Sequence, residues 1–238
     1  MPSQSLHRTP SAVRKYDVVG TIASGTSGFV FHIGLSADDR MGVTSELPIR
    51  IVDMGPPLSR GGGMVCVDVA GSVPLRNGED LAIDVFFDGV EFELAAANAT
   101  GSSQYAILPH VREQASDGRT PAYRRFSCSG LVLAAYDFIG IALVNETLIP
   151  HVGLDALRLA YPNVRGLDNP DIRARYGLKK DDTSWPVMLP GYVIHSLRRS
   201  EAEIRAGAFA PQAGDECFPT IATDPSTSSP LDRPSPPL

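Results

Sequence analysis

One cysteine of this chain stands where a thiol can become a nucleophile. Cys128 lies in Phe126-Ser127-Cys128-Ser129-Gly130-Leu131-Val132, directly ahead of an apolar run, 131–139, that contains Ala134 and Ala135 and is followed by Gly140. Such a run reads as a buried helix with a glycine stop. Cys128 then sits at the helix N-terminus, where the positive end of the macrodipole favours the thiolate, the nucleophilic form. Unpaired backbone N–H groups of the first turn can hold an oxyanion. Ser129 and Gly130 are small and are expected to leave room for a substrate, with Ser129 as a contact residue.

An activated thiol needs a general base, and five histidines are available. His7 lies in a polar lead-in. His110 and His151 each follow a proline and read as surface or cap residues, and His195 as structural. His32 is the candidate. It falls inside the alternating segment 29–35, in which Phe29, Phe31, Ile33 and Leu35 share one strand face and Val30, His32 and Gly34 the other. Gly34 is expected to leave space beside the ring. A third polar group would orient the imidazole. Asp53, near the end of the next strand, is the best placed, and Glu46 in the preceding loop is the reserve. Of the other two cysteines, Cys66 reads as a strand-core residue and Cys217 falls in a polar tail.

The elements that must position these groups are short. Strands are predicted at 17–22, 29–35, 49–54, 64–69 and 81–87, with 55–63 (GPPLSRGGG) as loop and Asp88-Gly89 as a hairpin turn. The stretch 91–99 is compatible with either strand or helix. Asn169-Pro170 marks a helix start with Gly177 as its stop, and Ser200 with Glu203 forms a capping box. The sum is an α+β fold with an antiparallel sheet packed against helices. Residues 1–14 read as a flexible lead-in, 15–208 as one domain, and 209–238 as a disordered Pro/Ser-rich tail.

Composition narrows the function. A net charge of −6 over 238 residues argues against nucleic-acid binding. The basic residues Arg173, Arg175, Lys179 and Lys180 are flanked by Asp171, Asp181 and Asp182 and read as a solvated mixed face. Three widely spaced cysteines are neither a disulfide framework nor a zinc spacing. No apolar stretch approaches the roughly 18 residues of a membrane span, and the N-terminus lacks an apolar leader segment. A cytoplasmic location is expected, and a leaderless secreted effector would have the same character. There is no Gly-x-Ser-x-Gly elbow, and Gly61-Gly62-Gly63 lacks the residues of a phosphate loop. No metal and no cofactor are expected.

Ser-Cys-Ser-Gly-Leu-Val ahead of an apolar helix resembles the nucleophile segment of the NlpC/P60 superfamily of papain-like peptidases and amidases. Phe31-His32-Ile33-Gly34-Leu35 resembles that superfamily's histidine strand, and Tyr16-Asp17-Val18-Val19 the strand before it. Histidine before cysteine reverses the usual order and is similar to the circularly permuted branch, with the YiiX-like hydrolases and the lecithin–retinol acyltransferase-like enzymes. Pro190-Gly191-Tyr192-Val193-Ile194-His195-Ser196 resembles the closing segment of the YiiX-like group. The resemblance covers about 16–54, 123–140 and 186–198. It implies a permuted papain-like fold, Cys128 as nucleophile, His32 as base and a polar third residue that maps to Asp53. It also implies a tyrosine near the cysteine as hydrogen-bond donor, for which Tyr123 is the candidate. The substrate would be a peptide, another amide or a lipid ester. The rival readings are a thiol acyltransferase acting on lipid acyl groups and a catalytically inactive binding module on the same scaffold. Oligomeric state is left open.

Overall fold

The computed structural model describes residues 12–22, 29–43, 47–161 and 164–215. Its centre is a five-stranded antiparallel sheet built from β1 (Val18–Ile22), β2 (Val30–Ser36), β3 (Pro48–Met54), β4 (Leu58–Cys66) and β5 (Val69–Gly71), in the order β4-β3-β2-β1-β5. Helices pack on one face of it, so the α+β expectation holds. The main core joins Ile33, Leu35, Val52 and Met54 of the sheet to helical residues such as Phe87, Leu131 and Tyr136. A smaller cluster of Val13, Val19, Val43, Ile49, Ile51 and Val67 covers the other face.

Four expectations fail in the first half. The segment 81–87 is not a strand, and Asp88-Gly89 is not a turn. Both belong to α1 (Glu79–Ala96), which also absorbs most of 91–99. The apolar residues there satisfy the helical period instead: Ile83, Phe86, Phe87, Val90 and Leu94 are buried, while Leu81, Val85 and Phe92 are exposed. Gly78 takes φ 85° at the N-cap, and Glu79 and Asp80 favour the positive end of the helix dipole. The glycine-rich stretch, in turn, is not loop. Leu58 pairs with Met54 across a tight Gly55-Pro56-Pro57 turn, and β4 follows β3 as far as Pro48↔Cys66. Ladder bonds use backbone only, so small residues join a strand when the partner is fixed. The register slips between Ile51 and Val52, where Gly61 takes φ 70°, a bulge that favours glycine. Cys66 ends this strand and is exposed rather than core.

The second half delivers the Cys128 segment. A hairpin of β6 (Val111–Gln114) and β7 (Tyr123–Phe126) runs straight into α2 (Cys128–Phe138). Then come α3 (Leu154–Ala160), α4 (Pro170–Arg175), α5 (Pro190–Ser196) and α6 (Glu201–Ala206). The predicted caps are present: Asn169 Oδ1 accepts from the Asp171 N–H, Ser200 and Glu203 form a capping box, and Gly140 and Gly177 take positive φ. Helix α2 packs against β2, β3, α1 and α5.

The folded unit is slightly wider than 15–208. Ala12 and Val13 pair with Met41 and Arg40, and the Phe209 backbone bonds Leu143 and Asn145. His7 and Cys217 lie outside the described residues. Among the described residues, no helix is long and apolar enough to cross a membrane. None of their His, Cys, Asp and Glu side chains form a group of three or more able to hold a metal ion.

Candidate active site

Helix α2 begins at Cys128 because Ser127 stops the strand and caps the helix. The Ser127 Oγ accepts from the Gly130 N–H at 2.9 Å, and the Ser127 N–H donates to the His110 carbonyl at 2.9 Å. Gly130 does not leave room for a substrate, as its type suggested. A β-carbon there would lie 1.9 Å from the His110 oxygen, so the glycine lets the preceding chain press against the helix start. Cys128 is 2 % exposed.

His32 reaches this helix end from β2. Thr21 pairs with His32 but Ile22 pairs with Val30, leaving Phe31 as the extra residue of a bulge. The bulge breaks the strict alternation read from the sequence, so that Phe31 and His32 line the same cavity. On the other side, Leu35 pairs with Val52. Continuing that register sets Asp53 opposite Gly34, diagonal to His32 on the same face. Gly34 therefore leaves no open space beside the ring. A β-carbon there would meet the Val52 carbonyl at 2.8 Å and the Asp53 Cβ at 2.9 Å, so its bareness lets β3 close on β2. The result is a hydrogen bond of 2.7 Å between His32 Nε2 and Asp53 Oδ2. The other ring nitrogen is left for Cys128. Glu46, the reserve third group, lies outside the described residues.

The electrostatics follow from this packing. Burial drives an imidazole pKa down, but the hydrogen bonds and charges of Asp53 and Cys128 outweigh it and push His32 up to about 10. Burial likewise drives a thiol up. The His32 hydrogen bond and charge, the Ile33 backbone N–H and the Ser129 hydroxyl more than offset that, holding Cys128 below its ordinary value. Each shift is toward the charged form of its group, thiolate for Cys128 and imidazolium for His32. Ser129 is fully buried and does not line the cavity. Its hydroxyl has no conventional hydrogen-bond partner and its place is beside the sulfur, not on a substrate.

The thiol opens on a cavity of about 460 Å³, walled by Phe31, Met54, Pro56, Ala160, Tyr161 and Tyr176. Two tyrosines here gave no sequence signal. Tyr105 runs beside the strand that delivers the cysteine, bridged to Phe126, and its hydroxyl is close enough to the Cys128 backbone N–H to feel it. Burial and the neighbouring Cys128 charge raise its pKa well above the ordinary value, so it stays a neutral O–H donor. Tyr161, edge-on to Tyr105 at 6.4 Å, is 4 % exposed and its hydroxyl has no hydrogen-bond partner. Tyr123 is elsewhere: its hydroxyl meets the Ser103 carbonyl at 3.3 Å and it lines a different cavity. Only the strand pairing, invisible in the local sequence, distinguishes Tyr105 from Tyr123.

The other histidines divide differently from expectation. His151 is exposed, but His110 is buried, with its Nε2 3.1 Å from Glu146 Oε1. His195 lies 3.4 Å from Asp215. The site is thus a buried cysteine at a helix N-terminus, joined through one histidine to an aspartate, in an α+β protein. Comparison of the chain with family models, with curated proteins and with solved structures returned no match.

Proposed function

We propose that this protein is a cysteine-dependent hydrolase of amide or ester bonds on a permuted papain-like scaffold, with Cys128 as nucleophile, His32 as acid and base, and Asp53 as the group that orients the imidazole. The observation that carries this reading is the shared hydrogen bonding of His32, to Asp53 on one side and to Cys128 on the other. A non-catalytic module has no need to set a buried thiol at a helix N-terminus against a histidine that is itself held by an aspartate.

The steps use groups of the chain and water. The Cys128 thiolate attacks the substrate carbonyl and forms a C–S bond while the carbonyl π electrons move to oxygen. The Cys128 N–H and the Tyr105 O–H, neighbours at the start of α2, are the donors this reading assigns to that oxyanion. His32, as imidazolium, protonates the leaving nitrogen or oxygen as its bond to carbon breaks, which leaves a thioester. Water then gives a proton to the neutral imidazole and attacks the thioester. Collapse expels the thiolate and restores the ion pair. Asp53 keeps the ring oriented and favours its charged form. An amine or alcohol in place of water would give acyl transfer, and the apolar cavity walls favour an apolar acyl group in either case.

The test is a panel of p-nitrophenyl esters of increasing acyl length, with the release of nitrophenolate and the mass of the protein followed together. The reading predicts a burst equal to the enzyme concentration and one acyl group on Cys128, absent in Cys128→Ser. Acylation should quicken with chain length, by up to about 0.8 kcal/mol of binding per methylene. A chain that acquires no acyl group on Cys128 from any ester contradicts the proposal.

A further inference from the structure

A second cavity, of about 520 Å³, adjoins the thiol cavity, with Ser102 and Tyr176 in the wall of both. Arg112, Arg125, Arg165 and Arg175 line it and no carboxylate does. Arg175 was expected on a solvated mixed face, whereas its neighbour Arg173 is buried, bonding the carbonyls of Leu167, Asp168 and Lys180. The chain as a whole carries −6, and Arg60, Arg124, Arg158 and Arg205 each meet a carboxylate. The four cavity arginines have no ion pair among the described residues.

Two of them are held in direct opposition. Arg112 faces Arg125 across the β6–β7 hairpin, a cross-strand like-charge pair that costs stability. Arg125 is fixed there: its Nη2 donates to the carbonyls of Tyr105 and Arg175, while its Nε is buried with no partner. Burial and the Arg112 charge lower its pKa, as expected for an uncompensated cation. A single carboxylate would leave most of this charge unmatched. A phosphate carries up to two charges and several acceptor oxygens, the geometry that guanidinium forks match.

We propose that this cavity binds a multiply charged oxyanion of the phosphate class, held by Arg112, Arg125, Arg165 and Arg175. Its place beside the thiol cavity makes it the seat of an anionic group on the substrate. That last assignment rests on the thiol-hydrolase reading, and the anion site itself does not.

The test is calorimetric titration of the full chain with inorganic phosphate at constant ionic strength, chloride being the balancing anion. Saturable one-to-one binding is expected, the same in Cys128→Ser and at least tenfold tighter than for acetate. Arg112→Gln combined with Arg175→Gln should weaken it at least tenfold. Arg165→Gln combined with Arg175→Gln, both exposed positions, gives the same loss if the first pair disturbs the hairpin. No saturable binding, acetate binding as tight as phosphate, or folded double variants that bind like the native chain would overturn the site. Phosphate binding that depends on the arginines in a chain whose Cys128 never acylates keeps the site and removes the substrate assignment.

Discussion

Two histidine–carboxylate pairs flank helix α2. His32 and Asp53 meet at 2.7 Å beside its N-terminus, and His110 and Glu146 at 3.1 Å along its side. By distance they are alike. The carboxylates differ: the Asp53 side chain is 12 % exposed and the Glu146 side chain 51 %. The third group differs more. His32 has a thiol at a helix N-terminus on its free side and a cavity beyond it, whereas His110 presents its carbonyl to Ser127 and Gly130 and so holds the helix start in place. A histidine bonded to a carboxylate is therefore a common structural device. It becomes a candidate for chemistry only when its second nitrogen meets a nucleophile next to open space.

That contrast can be broken experimentally. The largest effect is expected from His32→Ala, which should slow acylation of Cys128 by activated esters by about 10²–10⁴-fold, while His110→Ala leaves the chemical step unchanged in the folded fraction. Equal losses in the two variants would erase the distinction. Next, Asp53→Asn should lower the His32 pKa from about 10 by roughly 1–3 units, read from its ring resonances in an NMR titration, with no such shift in Glu146→Gln. The linkage has a definite sign. A raised histidine pKa stabilises the fold fully below the unfolded value of about 6.5, and that contribution is lost as pH rises through about 10. The native protein should therefore lose more stability between pH 7 and 10 than Asp53→Asn does, as judged by denaturant midpoints.

Gly130→Ala sharpens the comparison from the His110 side. Its methyl group would strike the His110 carbonyl, so a destabilisation of about 1–3 kcal/mol is expected, together with slower reaction of Cys128 as the helix start shifts. The smallest effect belongs to Glu146→Gln, an exposed partner, at about 0–1 kcal/mol with no change in Cys128 reactivity.

The helix that begins at Cys128 was legible because its signals are local. Cys128 and Gly140 mark a helix start and stop within thirteen residues, and the caps at Asn169 and Ser200 are equally self-contained. His32 and Asp53 were legible as members of consecutive strands, which hairpin topology brings side by side. What escaped depends on non-local pairing. Tyr105 reaches the site only because its segment bridges Phe126, and the Arg112–Arg125 opposition exists only in the hairpin register. The β2 bulge inverted the expected role of Phe31, and the glycine-rich β4 joined the sheet because β3 supplied its ladder. Helix α1 was misread because a short apolar window fits both periods, and only its full length separates them.

The central claim, an activated Cys128–His32 pair, is tested most directly by the rate of iodoacetamide alkylation of Cys128 against pH, in the native protein and in His32→Ala, with the modified residues identified by mass spectrometry. The account predicts fast labelling of Cys128, with an apparent pKa below the ordinary ~8.5 of a free thiol, and a shift to higher pH in His32→Ala, where the largest group offsetting burial is gone. Labelling of Cys128 no faster than that of the exposed Cys66, or indifferent to His32, would contradict it.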